Sequence, residues 1–185
     1  MKKNMPLVLG LLVCIVLSCN NKKSNEKDDP PQNKDYLIRM DGIDSLKLEM
    51  TRAELEKVLN TKITLPNLAT TRASDTISVK YRGIDMTLIM DGSDDSTATL
   101  RSIQTTHPSC KTASGIGTGA DKIKAIEAYP DNRRFVGPEY EEYPVRSATK
   151  SVVAVMDTLN TRAIIFHIID KKVVSVEVNS YYEYY

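Results

Sequence analysis

The chain has no tryptophan, two phenylalanines and two histidines among its 185 residues. Without tryptophan, the broadest ring for stacking on sugars is missing, which weighs against a glycan-binding groove. With two histidines, a metal centre would have to be completed by carboxylates or thiols. Charge of one sign is also missing. Lysine and arginine total 25 against 24 acidic residues, and no dense basic block occurs. A chain so close to neutral has no electrostatic footprint for nucleic acid, so we expect no nucleic-acid partner. The catalytic signatures G-x-S-x-G and H-E-x-x-H do not appear, and neither does a P-loop. No cofactor and no metal is expected, and the chain reads as no enzyme.

Long apolar runs are scarce too, with one exception. Lys2 and Lys3 precede Met5–Leu17, an uncharged stretch of 13 residues. That length suits the apolar region of a secretory signal and falls short of the roughly 20 residues that span a bilayer. We expect residues 1–18 to be a signal peptide. The chain then loses two lysines, leaving 23 basic and 24 acidic residues. Residues 20–35 contain no aliphatic or aromatic side chain and balance four lysines against four acids. Such a stretch cannot bury a core and reads as a solvated tether spanning roughly 20–25 Å. The domain assignment is therefore signal peptide 1–18, modified cysteine and tether 19–35, and one folded domain 36–185.

The join between signal and tether reads Val16-Leu17-Ser18-Cys19, followed at once by Asn20-Asn21-Lys22-Lys23. It resembles the bacterial lipobox, with Leu17 where that pattern often has a smaller residue. The resemblance implies diacylglycerol on the Cys19 sulfur and cleavage before Cys19. It implies a lipid-anchored protein of the cell envelope, on the periplasmic or surface face of an outer membrane. Several acyl chains at about 0.8 kcal/mol per buried CH₂ make such an anchor lasting. Of the three cysteines, Cys14 would leave with the signal and Cys19 would be alkylated. Cys110 would then have no disulfide partner within the domain.

Inside the domain we read two successive units, about 36–110 and 111–185. In the first, Thr51 with Glu54 three residues on is a capping box, opening a helix through Ala53, Leu55, Val58 and Leu59. Strands follow at Ile77–Tyr81, Ile84–Met90 and Ala98–Thr106, with Arg82-Gly83 as a tight turn. In the second, Asp121 caps a helix carrying Ile123, Ile126 and Tyr129, which Pro130 ends. A loop containing Pro138 and Pro144 leads to strands at Ser151–Asp157, Arg162–Asp170 and Val173–Asn179. The expected fold class is thus α+β, a degenerate tandem repeat of helix-plus-antiparallel-strand units with helices on one face of the sheet.

Leu48-x-Met50-Thr51-x-x-Glu54-Leu55 is similar to the opening of the small lipoprotein of the β-barrel assembly machinery, with Glu49 where that family has glycine. Thr112, Gly115-Ile116, Gly119, Ala120-Asp121 and Tyr129 resemble a short motif of small secreted and envelope proteins. Pro130 stands there in place of a glycine. Related units in tandem make up the β-lactamase-inhibitor protein. These resemblances cover short stretches and imply a fold and an envelope location.

Several residue groups invite chemistry. Gly115-x-Gly117-x-Gly119 before a helix suggests a phosphate loop but lacks its spacing, and a glycine-assisted turn accounts for it. His107 and Cys110 have H-x-x-C spacing with no further ligands in view, and His167 lies in a strand beside Phe166 and Ile168. Asp91, Asp94 and Asp95 do not fit an EF-hand and read as a solvated hairpin. Glu139, Glu141 and Glu142, near Arg133 and Arg134, read as surface ion pairs. The end Tyr181-Tyr182-Glu183-Tyr184-Tyr185 is a candidate partner surface, since each ring joins a large apolar face to a polar tip. The leading expectation is a non-catalytic, lipid-anchored domain that binds another envelope protein. A small-ligand or glycan-binding surface lipoprotein is the alternative.

Overall fold

The computed structural model describes residues 36–68, 74–142, 144–159 and 161–180. They belong to a compact unit spanning Asn33–Tyr185. The fold is mostly β, with 51% strand and 12% helical residues, and this overturns the tandem α+β reading. The error lay in how much of the chain is extended. The small strands β1 (Leu37–Arg39), β2 (Gly42–Ile43) and β3 (Leu46–Lys47) precede the first helix, α1 (Arg52–Leu59). Next come β4 (Ser74–Tyr81), β5 (Ile84–Asp91), β6 (Thr99–Thr105), β7 (Lys111–Thr112) and the short α2 (Lys122–Glu127). The chain then runs through β8 (Arg134–Glu142), β9 (Val145–Met156), β10 (Ala163–Ile169) and β11 (Lys172–Asn179).

Two sheets result, one ordered β3-β2-β1-β7 and one ordered β4-β5-β6-β11-β10-β9-β8. The expected loop around Pro138 is instead strand β8. Its position explains why proline is tolerated there. β8 is an edge strand, where a missing N–H costs little, and its register with β9 shifts directly beyond Pro138.

Local chemistry accounts for the joints. Thr51 and Glu54 form the reciprocal capping box that starts α1, and Asn60 closes it in the left-handed conformation. Arg82 and Gly83 both have positive φ, as a two-residue hairpin with the right-handed twist requires. Asp170 and Lys171 repeat that geometry between β10 and β11 without a glycine. Asp121 takes the N-cap position of α2 but makes no capping hydrogen bond; its carboxylate pairs with Lys172 at 2.7 Å. Ile123, assigned from the sequence to the apolar side of that helix, is 61% exposed, and Ala125 is the side chain α2 buries.

Strand alternation gives the seven-stranded sheet two unlike faces. One face carries Ile84, Met86, Leu88, Met90, Ile103, Val176, Val178, Phe166, Val153 and Val155 into the main core, where Leu55 of α1 and Ala125 of α2 join them. Tyr129, just past α2, meets the Phe166 ring at 6.1 Å between centroids. The opposite face has a smaller buried cluster of Ala154, Met156, Ala163 and Ile165, with Phe135 and Val152 against it. None of the described helical residues belongs to that cluster. Beyond it this face is mostly polar, with Ile89 and Ile169 as apolar exceptions.

Candidate functional site

The polar face is organised around His167. Registers β10–β9 and β10–β11 set Val152 and Ser175 opposite His167 on its two neighbours. Its Nδ1 lies 3.0 Å from a Glu139 carboxylate oxygen, reaching in from the edge strand β8. Its Nε2 lies 3.2 Å from Glu177 on β11. Glu177 also accepts from Ser102 Oγ at 2.7 Å and from Asn179 Nδ2 at 2.8 Å. Gln104 donates to Ser175 Oγ at 3.1 Å alongside. Four strands thus contribute to one network, with the His167 side chain 25% exposed and that of Glu177 15%.

With a carboxylate at each ring nitrogen, both nitrogens are placed to donate, which is the protonated form of imidazole. Burial alone would push the His167 pKa down. The hydrogen bonds and charges of Glu177 and Glu139 together outweigh burial and hold it above its ordinary value. For Glu177, burial raises the pKa, but hydrogen bonds from His167, Ser102 and Asn179 leave it below the usual carboxylate range. The two carboxylates approach opposite edges of the ring and share no point a cation could occupy with it. Among the described residues, no group of three or more histidine, cysteine, aspartate or glutamate side chains could hold a metal ion. The Ser102 hydroxyl donates to a carboxylate and faces no free base. This arrangement is built to hold a proton in place.

The residues singled out by the sequence are scattered. Cys19, Tyr181, Tyr182, Tyr184 and Tyr185 lie outside the described residues. Cys110 is a free, fully buried thiol, and burial pushes its pKa up to about 11. Such a thiol is unreactive at neutral pH. It sits in a turn, donating its N–H to the His107 carbonyl at 3.1 Å. Gly117 is set by contact, since a Cβ there would lie 2.3 Å from the Cys110 carbonyl oxygen. Gly119 has φ +90°. Backbone geometry accounts for both glycines without a phosphate. Asp94 is bound by its own loop, accepting from Ser96 N and Oγ and from Thr97 N at 2.7–2.9 Å. The Ser96 hydroxyl, foremost, and these N–H groups hold its pKa below the usual range.

The three glutamates of residues 139–142 are not one surface cluster. Glu139 reaches His167, whereas Glu141 accepts from Ser147 Oγ at 2.9 Å. The sequence offered alternation around His167 as the one clue to its face and nothing to connect it with Glu139 or Glu177. Glu49, at the position where the resemblance has glycine, takes φ +70° and pairs with Arg162 at 2.9 Å.

A shallow depression of about 580 Å³ lies beside the network, lined in part by Ser78, Lys80, Thr87, Gln104, Thr106 and Ser175. Among the described residues no helix is long and apolar enough to cross a membrane. No family model, curated protein or solved structure matches this chain.

Proposed function

We propose that this chain is a non-catalytic, lipid-anchored domain of the bacterial cell envelope that docks on another envelope protein. The location rests on Lys2-Lys3, the apolar run and Ser18-Cys19. The observation that carries the docking role is the unequal covering of the seven-stranded sheet. Helices and the small sheet cover one face, and the other keeps a wide surface of hydroxyl, amide and charged groups. Mixed polar surface of that kind suits a reversible protein interface, which is on average no more apolar than the rest of a protein's surface. Apolar contact area on this side comes from Phe135, which packs on the small cluster, and from the exposed Ile169, which follows His167 on the same face of β10.

Two measurements test the reading in intact cells. Labelled palmitate should enter the wild-type chain and fail to enter Cys19→Ser; an unlabelled wild type overturns the anchor. A photo-crosslinker at Ser78, exposed on the open face, should yield an adduct with one envelope protein. The same group at Lys57 on α1 should not. Adducts from Lys57 and none from Ser78 would overturn the docking face. Deleting residues 181–185 should weaken capture of that same protein and leave the domain folded.

A further inference from the structure

The His167 network ties distant parts of the sheet through a single proton. β8 lies at the edge and β10 two strands inward, separated by β9. Glu139 spans that gap from the point where β8 loses regular register with β9, between Pro138 and Tyr140. The hairpin beyond this point, through Val145, is where the ladder is least regular. A tether there restrains the part of the edge that backbone pairing restrains least.

The two carboxylates do not depend on the proton equally. Glu177 keeps Ser102 and Asn179 as partners whatever the state of His167. Among the described residues, the Glu139 carboxylate meets only His167. Neutral imidazole has one N–H, and the more deeply buried Glu177 has the stronger demand for it. The other ring nitrogen would then turn a lone pair toward the Glu139 carboxylate, and attraction becomes repulsion. Glu139 can relieve this by swinging into water, a route the deeper Glu177 lacks.

We propose that Glu139, His167 and Glu177 form a proton-held clasp, closed on the edge hairpin β8–β9 when His167 is charged and released at Glu139 when it is neutral. The inference stands on this geometry and not on the docking reading. The groups facing His167 can be named from each neighbouring strand. β8 supplies Glu139 and β11 supplies Glu177 and Ser175, while Ser102 of β6 reaches Glu177 rather than the ring. β9 places Val152 opposite and the exposed Lys150 two positions farther on. Among the described residues, the two carboxylates are the charges that raise the His167 pKa.

The sign follows directly. A histidine with a raised folded-state pKa adds stability that is fully present below its unfolded pKa and is lost as pH rises through the folded value. Glu177, with a lowered pKa, adds stability above its unfolded pKa that is lost as pH falls through the folded value. The clasp is therefore closed between those two limits and opens on the alkaline side through His167. Each unit of pKa difference between open and closed forms is a tenfold change in the clasp equilibrium.

The test uses the purified full chain in detergent with ¹⁵N-labelled histidine. The chain has only two histidines, so His107→Gln assigns the His167 signals. Both His167 nitrogens should report as protonated N–H at mildly acidic pH, and the titration midpoint should fall in Glu139→Gln. Hydrogen exchange across residues 139–148, corrected for intrinsic rate, should quicken at least about threefold as pH rises through that midpoint. The step should persist in His107→Gln and vanish in Glu139→Gln and His167→Gln. Because Glu139→Gln alters one partly exposed side chain, it keeps the test valid if His167→Gln fails to fold. A His167 midpoint unmoved by Glu139→Gln, or a hairpin whose exchange shows no step, overturns the clasp.

Discussion

The two faces of the seven-stranded sheet are held by different physics. The covered face is apolar, with Leu88, Met90, Ile103, Val153, Val176 and Phe166 fully buried. Its contacts are non-directional, and their strength follows the area taken from water. The opposite face joins a small apolar cluster to a network whose members each depend on a specific partner. There the energy is conditional on geometry and charge, because a buried polar group that loses its partner costs more than the bond was worth. The comparison teaches that the covered face supplies most of the stability and the open face supplies responsiveness.

The comparison can be broken first where it is strongest. Phe166→Ala removes a fully buried ring that also meets Tyr129, and should cost about 3–5 kcal/mol in urea unfolding. A loss near 1 kcal/mol would mean the helical layer contributes little. Gly117→Ala tests how the covering layer is held, since the added carbon meets the Cys110 carbonyl oxygen. It should cost about 1–3 kcal/mol by the same measurement. Thr51→Ala removes one half of the capping box and should cost about 1 kcal/mol, seen as a lower urea midpoint with an unchanged slope. On the open face, Lys80 and Asp85 pair at 2.7 Å with both side chains largely exposed. Lys80→Ala should therefore change stability by less than about 0.5 kcal/mol, with little salt dependence. A larger loss there would show that the open face is more than a responsive surface.

How much of this was legible beforehand depended on how local each feature is. The strands around Ile84–Met90 and Val173–Asn179 announced themselves through alternating apolar residues, and Thr51 through Glu54 three positions on. Strand β8 did not, because Gly137, Pro138 and three glutamates read as loop chemistry. Only an edge position lets such a sequence be a strand, and edge positions are assigned by the sheet. Ile123 misled for a related reason. In a helix of 6 residues, one turn decides which side is buried, and the apolar pattern is too short to say.

The clasp was beyond local reading. Glu139 stands 28 residues before His167, and Glu177 stands 10 after it. Nothing in those spacings marks a contact, and the resemblances bear on helix openings elsewhere. The same limit applied to Glu49. Its left-handed backbone is affordable because Leu100 accepts its N–H at 2.7 Å and Arg162 holds its carboxylate.

By itself the sequence determined the apolar periodicity of the long strands, the Thr51–Glu54 capping box, the Arg82-Gly83 turn and the near-neutral charge. Each depends on residues a few positions apart, whose interactions follow from backbone geometry alone. The tertiary structure decided the strand order, the edge role of β8 and the meeting of two carboxylates with one imidazole. Those depend on which strands become neighbours, and that is settled by closing the whole core at once.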